Sequence, residues 1–211
     1  YVGLEYTSAS RTYILLYTCP FFVAIGAHLF LPGDRLNRHK LTGLFFAFAG
    51  IVVLFMRNIG AFSLGTLPGD LMAMAAGFLW GATTVYVKKY VSHRVQPLQT
   101  LFYQVFFSAP LLLILSAVLE DPVLSGVSFT GWSSLFFQCI IVAFLSYLVW
   151  FELIHRYPVS LLHAFSFFTP VFGVFLSGAL ILGELISPSL IVALVLVCLG
   201  MILVNRVPRT D

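Results

Sequence analysis

The residues of this chain that could act on another molecule are almost all uncharged. His163 lies one turn into an apolar run, with Ser166 three positions on. Trp80, Thr83 and Thr84 sit in a second run, Tyr103 and Gln104 in a third, Gln138 and Tyr147 in a fourth. Aromatic faces and neutral hydrogen bonders in apolar surroundings suit noncovalent capture of an amphipathic or apolar small molecule, and an aromatic face can also hold an organic cation. Trp80 is the strongest of these, because it lies far from the interfacial belt where membrane tryptophans concentrate. His163 titrates near neutral pH in water and could take part in proton coupling; the plainer alternative is an imidazole that bonds a neighbouring helix. For the others, lipid contact or helix packing competes with ligand binding.

Covalent chemistry has no matching pattern. The sequence contains no H-E-x-x-H, no G-x-S-x-G and no Walker A loop. Gly69-Asp70 lacks the companion glycine, with Leu67 in its place, that an intramembrane aspartyl protease pattern needs. No cluster of Asp, Glu, Cys and His has metal-ligand spacing. Cys19, Cys139 and Cys198 are odd in number, sit in apolar runs and read as free thiols. We therefore expect no catalysis, no cofactor and no metal.

Charged groups fall at the ends of the apolar runs. Lys88 and Lys89 close one, and Glu152 lies a turn from His155 and Arg156. Interfacial pairing or snorkelling accounts for them. His28 reads as interfacial, and Arg11 as a snorkelling side chain near one mouth, with attraction of an anionic substrate as the sharper alternative. Pro20 and Pro170 interrupt two runs near their centres. A proline inside a helix removes a backbone bond and bends the chain, so matched prolines predict paired kinks framing a central cavity. Thr18, Cys19 and Thr169 stand ready to bond the freed carbonyls. Gly77 and Gly81, and Gly173 and Ser177, are four apart and predict close helix packing within the chain; a homodimer interface is the alternative.

The elements that hold these residues must be membrane helices. The 211 residues are 60% hydrophobic and 9% charged, with 22 Phe and a net charge of +3; soluble domains carry about 25% charged residues. Eleven basic residues scattered between apolar runs form no nucleic-acid patch. Seven segments are long enough, or nearly so, to cross a bilayer: Thr12–Leu31, Leu41–Met56, Leu71–Val87, Leu98–Leu119, Trp132–Phe151, Val159–Gly183 and Leu185–Val204. Breaks fall at Pro32-Gly33-Asp34, Pro68-Gly69-Asp70, Gln96-Pro97, Asp121-Pro122 and Tyr157-Pro158. Nine of the eleven basic residues lie in alternate loops on one side, which predicts a cytoplasmic C-terminus with Tyr1 outside.

Residues Ser10 to Arg57 align without a gap on Ser160 to Val207. Ser10 falls on Ser160, Pro20 on Pro170, Gly33 on Gly183, Asp34 on Glu184 and Gly50 on Gly200. Equivalent spans stand five crossings apart, so the two copies face opposite ways and predict an inverted repeat of five helices. Subtracting the 150-residue offset from the second unit predicts about 80 further residues and three spans ahead of Tyr1.

The run YTSASRTYILLYTCPFFVAIGAHLFL, with its small-residue start and central Pro20, resembles the fourth helix of the EamA family in the drug/metabolite transporter superfamily. GDLMAMAAGFLWGATTVYVKKY is similar to that family's sixth helix, and YPVSLLHAFSFFTPVFGVFLSGALILGE to its ninth. Pro32-Gly33-Asp34 departs from the Gly and Glu that usually close the fourth helix. The resemblance implies ten helices in two inverted halves, an inner-membrane location, and export or exchange of small metabolites or drugs through a central cavity. Residues 1–57 would then end the first repeat and 69–207 form the second. The overall expectation is an all-α polytopic membrane protein of seven transmembrane helices, lacking the first three of the family's ten. The expected activity is that of a secondary transporter working by alternating access, with lipid and a small-molecule substrate as partners. Alternatives are a seven-helix receptor or sensor, which would need no inverted repeat, and an inactive membrane remnant.

Overall fold

A computed structural model describes residues 2–56, 63–119, 128–176 and 187–206, and every regular element among them is helical. After a 3-10 turn at Val2–Glu5 come α1 (Ala9–Leu16), α2 (Cys19–Phe30), α3 (Arg38–Phe55), α4 (Leu67–Tyr86), α5 (Pro97–Leu119) and α6 (Phe129–Phe137). They are followed by α7 (Tyr147–Arg156), α8 (Val159–Phe165), α9 (Phe168–Phe175) and α10 (Pro188–Val204). Five helical stretches are long and apolar enough to cross a membrane: Ala9–Phe30, Arg38–Phe55, Leu67–Val91, Pro97–Val118 and Phe129–Arg156. Two shorter apolar stretches, Val159–Phe175 and Pro188–Val204, complete the series among the described residues. Helices close their backbone hydrogen bonds internally, which is what a hydrocarbon solvent demands. The chain is thus an integral, multi-pass membrane protein.

The Pro68-Gly69-Asp70 break expected from sequence is the first turn of α4 instead. Proline is harmless there, because the N–H it lacks has no intrahelical acceptor in any case. Pro97 and Pro188 likewise open α5 and α10. The breaks at Pro32-Gly33-Asp34 and Tyr157-Pro158 are as expected; Gly33 takes φ +94°, a left-handed turn suited to glycine. The Asp121-Pro122 break, the Gly183-Glu184 closure and Ser177 lie outside the described residues.

The chain forms two units, one comprising residues up to Tyr86 with those from Pro158 onward, the other Val87–Tyr157. In the first, α1 and α2 run alongside α4 in the same direction, because α4 offers a small face. A methyl group on Gly77 would lie 2.9 Å from Leu16 O, and one on Gly81 3.1 Å from Val23 Cγ2. The close packing expected of Gly77 and Gly81 is therefore intrachain. Gly173 differs: among the described residues, nothing lies within 4 Å of a methyl placed there. We expect Gly77→Val to cost about 2 kcal/mol by forcing α1 off α4, read as a lower midpoint in detergent unfolding; an unchanged midpoint would refute this packing.

Antiparallel contact of α3 with α10 makes the core of this unit. Gly43 lies against Gly200, so close that a methyl group on Gly43 would stand 2.5 Å from Gly200 O. Gly50 lies against Ala193 in the same way, with 2.8 Å from its methyl position to Ala193 O. Leu44, Ala47, Ile51, Ala193, Val197 and Met201 fill the seam, joined by Tyr17, Ala24, Ala164, Phe167 and Val171.

In the second unit, Val87–Val91 and Gln138–Ser146 are π-helical. Lys88 Nζ donates to Ile154 O at 2.7 Å and His155 O at 2.9 Å, satisfying carbonyls at the C-terminal end of α7. Glu152 and Arg156 pair one turn apart, as expected, at an exposed position where such a pair adds little. Leu111, Leu112, Leu113 and Ile114 of α5 are exposed, as suits a lipid-facing stretch.

Candidate functional site

The two central prolines do not kink continuous helices. Each stands in the first turn of a new helix, after a two-residue 3-10 break: Tyr17-Thr18 separates α1 from α2, and Ser166-Phe167 separates α8 from α9. Thr18 N donates to Leu15 O and Phe21 N to Thr18 O; Phe167 N donates to Ala164 O and Thr169 N to Ser166 O. Proline cannot donate; ahead of Pro170 the tightened turn brings Thr169 N to the Ser166 carbonyl that the proline leaves free. Thr18 Oγ1 bonds Leu15 O at 2.6 Å, one residue short of the Leu16 carbonyl from which Pro20 withholds a donor. Cys19 and Thr169 turn elsewhere, to His163 and to the Tyr17 hydroxyl. The breaks meet: the rings of Tyr17 and Phe167 are 6.1 Å apart.

His163 is fully buried beside this junction. Its Nε2 is 3.0 Å from Thr84 Oγ1 and its Nδ1 3.5 Å from Cys19 Sγ. Thr84 donates its hydroxyl proton to Trp80 O at 3.0 Å, the carbonyl one turn back in α4. The threonine oxygen must then accept from Nε2–H, which assigns Nδ1 as acceptor of the Cys19 thiol. In this tautomer the imidazole is neutral, and the protons point one way along Cys19, His163, Thr84 and the Trp80 carbonyl. The Trp80 ring lies 5.1 Å from the imidazole at an interplanar angle of 59°. Ser166 Oγ donates to His163 O at 2.6 Å. α4 supplies Trp80 and Thr84 four residues apart on one face, and the last turn of α8 and the break beyond it supply His163 and Ser166. Four of the residues singled out from sequence therefore converge. Such a cluster can orient a ligand by an aromatic face and neutral hydrogen bonds, and no metal-holding group of His, Cys, Asp and Glu occurs among the described residues.

Tyr103, Gln104 and Tyr147 belong to the second unit and are exposed, as is Gln138. Tyr103 stacks within α5 on Phe107, ring centroids 6.4 Å apart. A cleft of about 510 Å³ in this unit is lined by other residues, among them Gln96, Leu98, Leu148 and Glu152.

Two charged clusters in the first unit escape a reading of the sequence. Arg11 does not snorkel. Its Nε donates to Asp70 Oδ1 at 3.1 Å and its Nη2 to Asp70 Oδ2, while Thr7 Oγ1 donates to the same carboxylate at 2.8 Å. This fork, one of the stronger pairings a protein makes, borders a cleft of about 390 Å³ walled by Ile14, Leu15, Leu71 and Met74. At the far end of α2, Asp34 accepts Ser160 N at 2.9 Å, the Ser160 hydroxyl, and Lys40 Nζ at 2.7 Å; Lys40 also reaches Ser160 Oγ at 3.1 Å. Burial pushes the Asp34 carboxyl up, but these donors outweigh it and hold it below its ordinary value. Sequence spacing gives no hint of partners 126 and 59 positions away. The one signal was the match of Ser10 to Ser160 at the head of the repeat.

Apolar helical stretches, two of them interrupted just ahead of prolines beside a buried polar cluster, define a polytopic membrane protein. The chain belongs to the EamA-like transporter family, whose pattern it matches over residues 1–56 and 67–206. It is 25% identical over 198 residues to the uncharacterized transporter YoaV of Bacillus subtilis (strain 168), covering 94% of this chain and 67% of that one. It is 28% identical over 191 residues to a probable amino-acid metabolite efflux pump of Salmonella typhimurium (strain LT2), covering 86% and 62%. A crystal structure at 22% identity superposes with a TM-score of 0.86, covering 97% of this chain and 69% of the other, and so shares the fold. The chain spans about two thirds of the length of the relatives it matches.

Proposed function

We propose that this chain works in a secondary transporter of the plasma membrane that moves a small metabolite or drug-like molecule by alternating access. The observation that carries the reading is the junction of the two proline-broken helices, with the His163 cluster beside it. An inverted repeat of seven crossings is supported by contact symmetry. Shifting by 150 residues and exchanging copies turns the Gly43–Gly200 contact into Ala193–Gly50, which is also present. Tyr17 and Phe167 are equivalent positions under the same shift, and they touch. Inverted repeats of this kind place the substrate at their interface near the midplane.

Trp80, Thr84, His163 and Ser166 are the residues we assign to that site. Loop charges argue for a cytoplasmic C-terminus. A neutral, aromatic site fits an amphipathic metabolite, and the name of the Salmonella relative makes amino-acid metabolites the first class to try. The test is growth of cells producing the protein across a panel of amino-acid analogues and toxicants, with intracellular metabolites measured in parallel. We expect resistance to at least one compound, and a loss on the order of tenfold in its export for Trp80→Ala and His163→Ala at equal membrane abundance, the equivalent of about 1.4 kcal/mol. No compound separating wild type from empty vector would reject the transport reading.

A further inference from the structure

The helical stretches interrupted at Tyr17-Thr18 and Ser166-Phe167 share a second feature, which lies at their ends. α8 is seven residues long and begins after Pro158, whose side chain cannot cap it. Its orphan N–H at Ser160 is taken instead by Asp34, 126 positions earlier, and Lys40 from the first turn of α3 ties the carboxylate to the Ser160 hydroxyl. Asp34 and Ser160 are buried at 5% and 3% exposure. α1, the other half-helix ahead of a break, is held near its own start by a different carboxylate, Asp70 of α4, through Arg11 and Thr7. The two knots lie at opposite ends of the first unit. α1 and α2 run from the Arg11 end to the Asp34 end, and α8 begins where α2 has finished.

A half-helix with a break at one end and a polar tie at the other has one obvious motion: the tied end swings when the tie opens. We propose that the Asp34–Lys40–Ser160 knot and the Arg11–Thr7–Asp70 knot are latches on the two mouths, with α8 and α1 as the elements they release. The proposal rests on the alternating-access reading, which requires that one mouth open while the other stays shut. Both latches join residues distant in sequence, so each fastens one element to another rather than merely finishing a helix. Their chemistry suits repeated opening: ion pairs and hydroxyl bonds at the ends of membrane helices exchange with water where apolar packing would not.

Hydrogen–deuterium exchange of the protein in lipid nanodiscs tests this. In Asp34→Asn, which keeps the shape but loses the charge, exchange across residues 159–165 should rise about tenfold, the worth of one charge-assisted bond. Residues 9–16 should exchange at the wild-type rate or more slowly. Asp70→Asn should give the mirror result, and Ser160→Ala, a milder change that keeps the backbone bond, a smaller rise confined to α8. Faster exchange at both half-helices in either Asn variant would mean general loosening and would overturn the proposal, as would an unchanged α8 in Asp34→Asn. If export is intact while α8 is unmoved, only the latch fails. If α8 is released selectively but wild type exports nothing, the latch holds and the transport reading fails.

Discussion

Gly43→Leu is expected to separate α3 from α10 and to be the most damaging single substitution in the first unit. At Gly43 even a methyl group would lie 2.5 Å from Gly200 O, 2.7 Å from Val204 Cγ2 and 2.8 Å from Val204 N, and two of these three atoms are backbone that cannot step aside. The facing glycine has the same constraint, with Gly43 O at 2.5 Å and Ala47 N at 2.7 Å. Contacts this close allow Cα–H groups to meet carbonyl oxygens across the seam, and in lipid, where apolar burial supplies no net drive, such close packing is what holds helices together. Moving α10 outward would open the whole seam of Leu44, Ala47, Ile51, Ala193 and Val197. We expect a loss of at least about 3 kcal/mol, the upper part of the range for overpacking, measured as a shifted midpoint on unfolding from mixed micelles. Gly173→Leu is the control: nothing among the described residues lies within 4 Å of its methyl position, so the same replacement should fall within about 0.5 kcal/mol of wild type. Equal midpoints for the two variants would refute the close approach.

Asp34→Ala is expected to be nearly as damaging, for an electrostatic reason. The carboxylate gathers Lys40, the Ser160 hydroxyl and the Ser160 N–H in a site where the Asp34 and Lys40 side chains are 6% and 17% exposed. Deleting it leaves the ammonium and the Ser160 N–H in the first turn of α8 without this acceptor, a loss of about 3 kcal/mol for a largely buried pair. Removing Lys40 as well should restore part of that loss, because the orphaned charge goes with it. The pH dependence has a definite sign. The folded carboxyl is held below its unfolded value, so its contribution is complete above the ordinary carboxylate range and is lost as pH falls through the folded value. The stability advantage of wild type over Asp34→Asn should therefore be level near pH 7 and shrink below about pH 4. An advantage that grows on acidification would contradict the pairing.

Much of this architecture is legible in one dimension. Apolar runs bounded by Gly, Pro and charge place the helices to within a few residues, because hydrocarbon permits little besides helix and the breaks lie where polar backbone must find other partners. Pro20 and Pro170 mark the two interrupted stretches, though as the openings of new helices rather than bends in old ones. Trp80, Thr84, His163 and Ser166 stand out because polar side chains inside apolar runs are uncommon, and that same scarcity brings them together, since each buried donor or acceptor must find another. Arg11 is the instructive miss. Beside an apolar run it reads as a solvent-seeking side chain, and nothing local reveals that Asp70 waits in the first turn of α4.

What the amino-acid order determined by itself was the medium, the helices and the family. Burial in lipid is a property of runs of residues, and a run can be read without knowing what it touches. What the tertiary structure decided was pairing: that Asp34 caps a helix 126 positions away, that the thiol of Cys19 serves His163 rather than a carbonyl, and that Gly43 faces Gly200 while Gly173 faces nothing close among the described residues. These are matters of which surfaces meet, and two helices of similar composition become different neighbours only when the chain has folded.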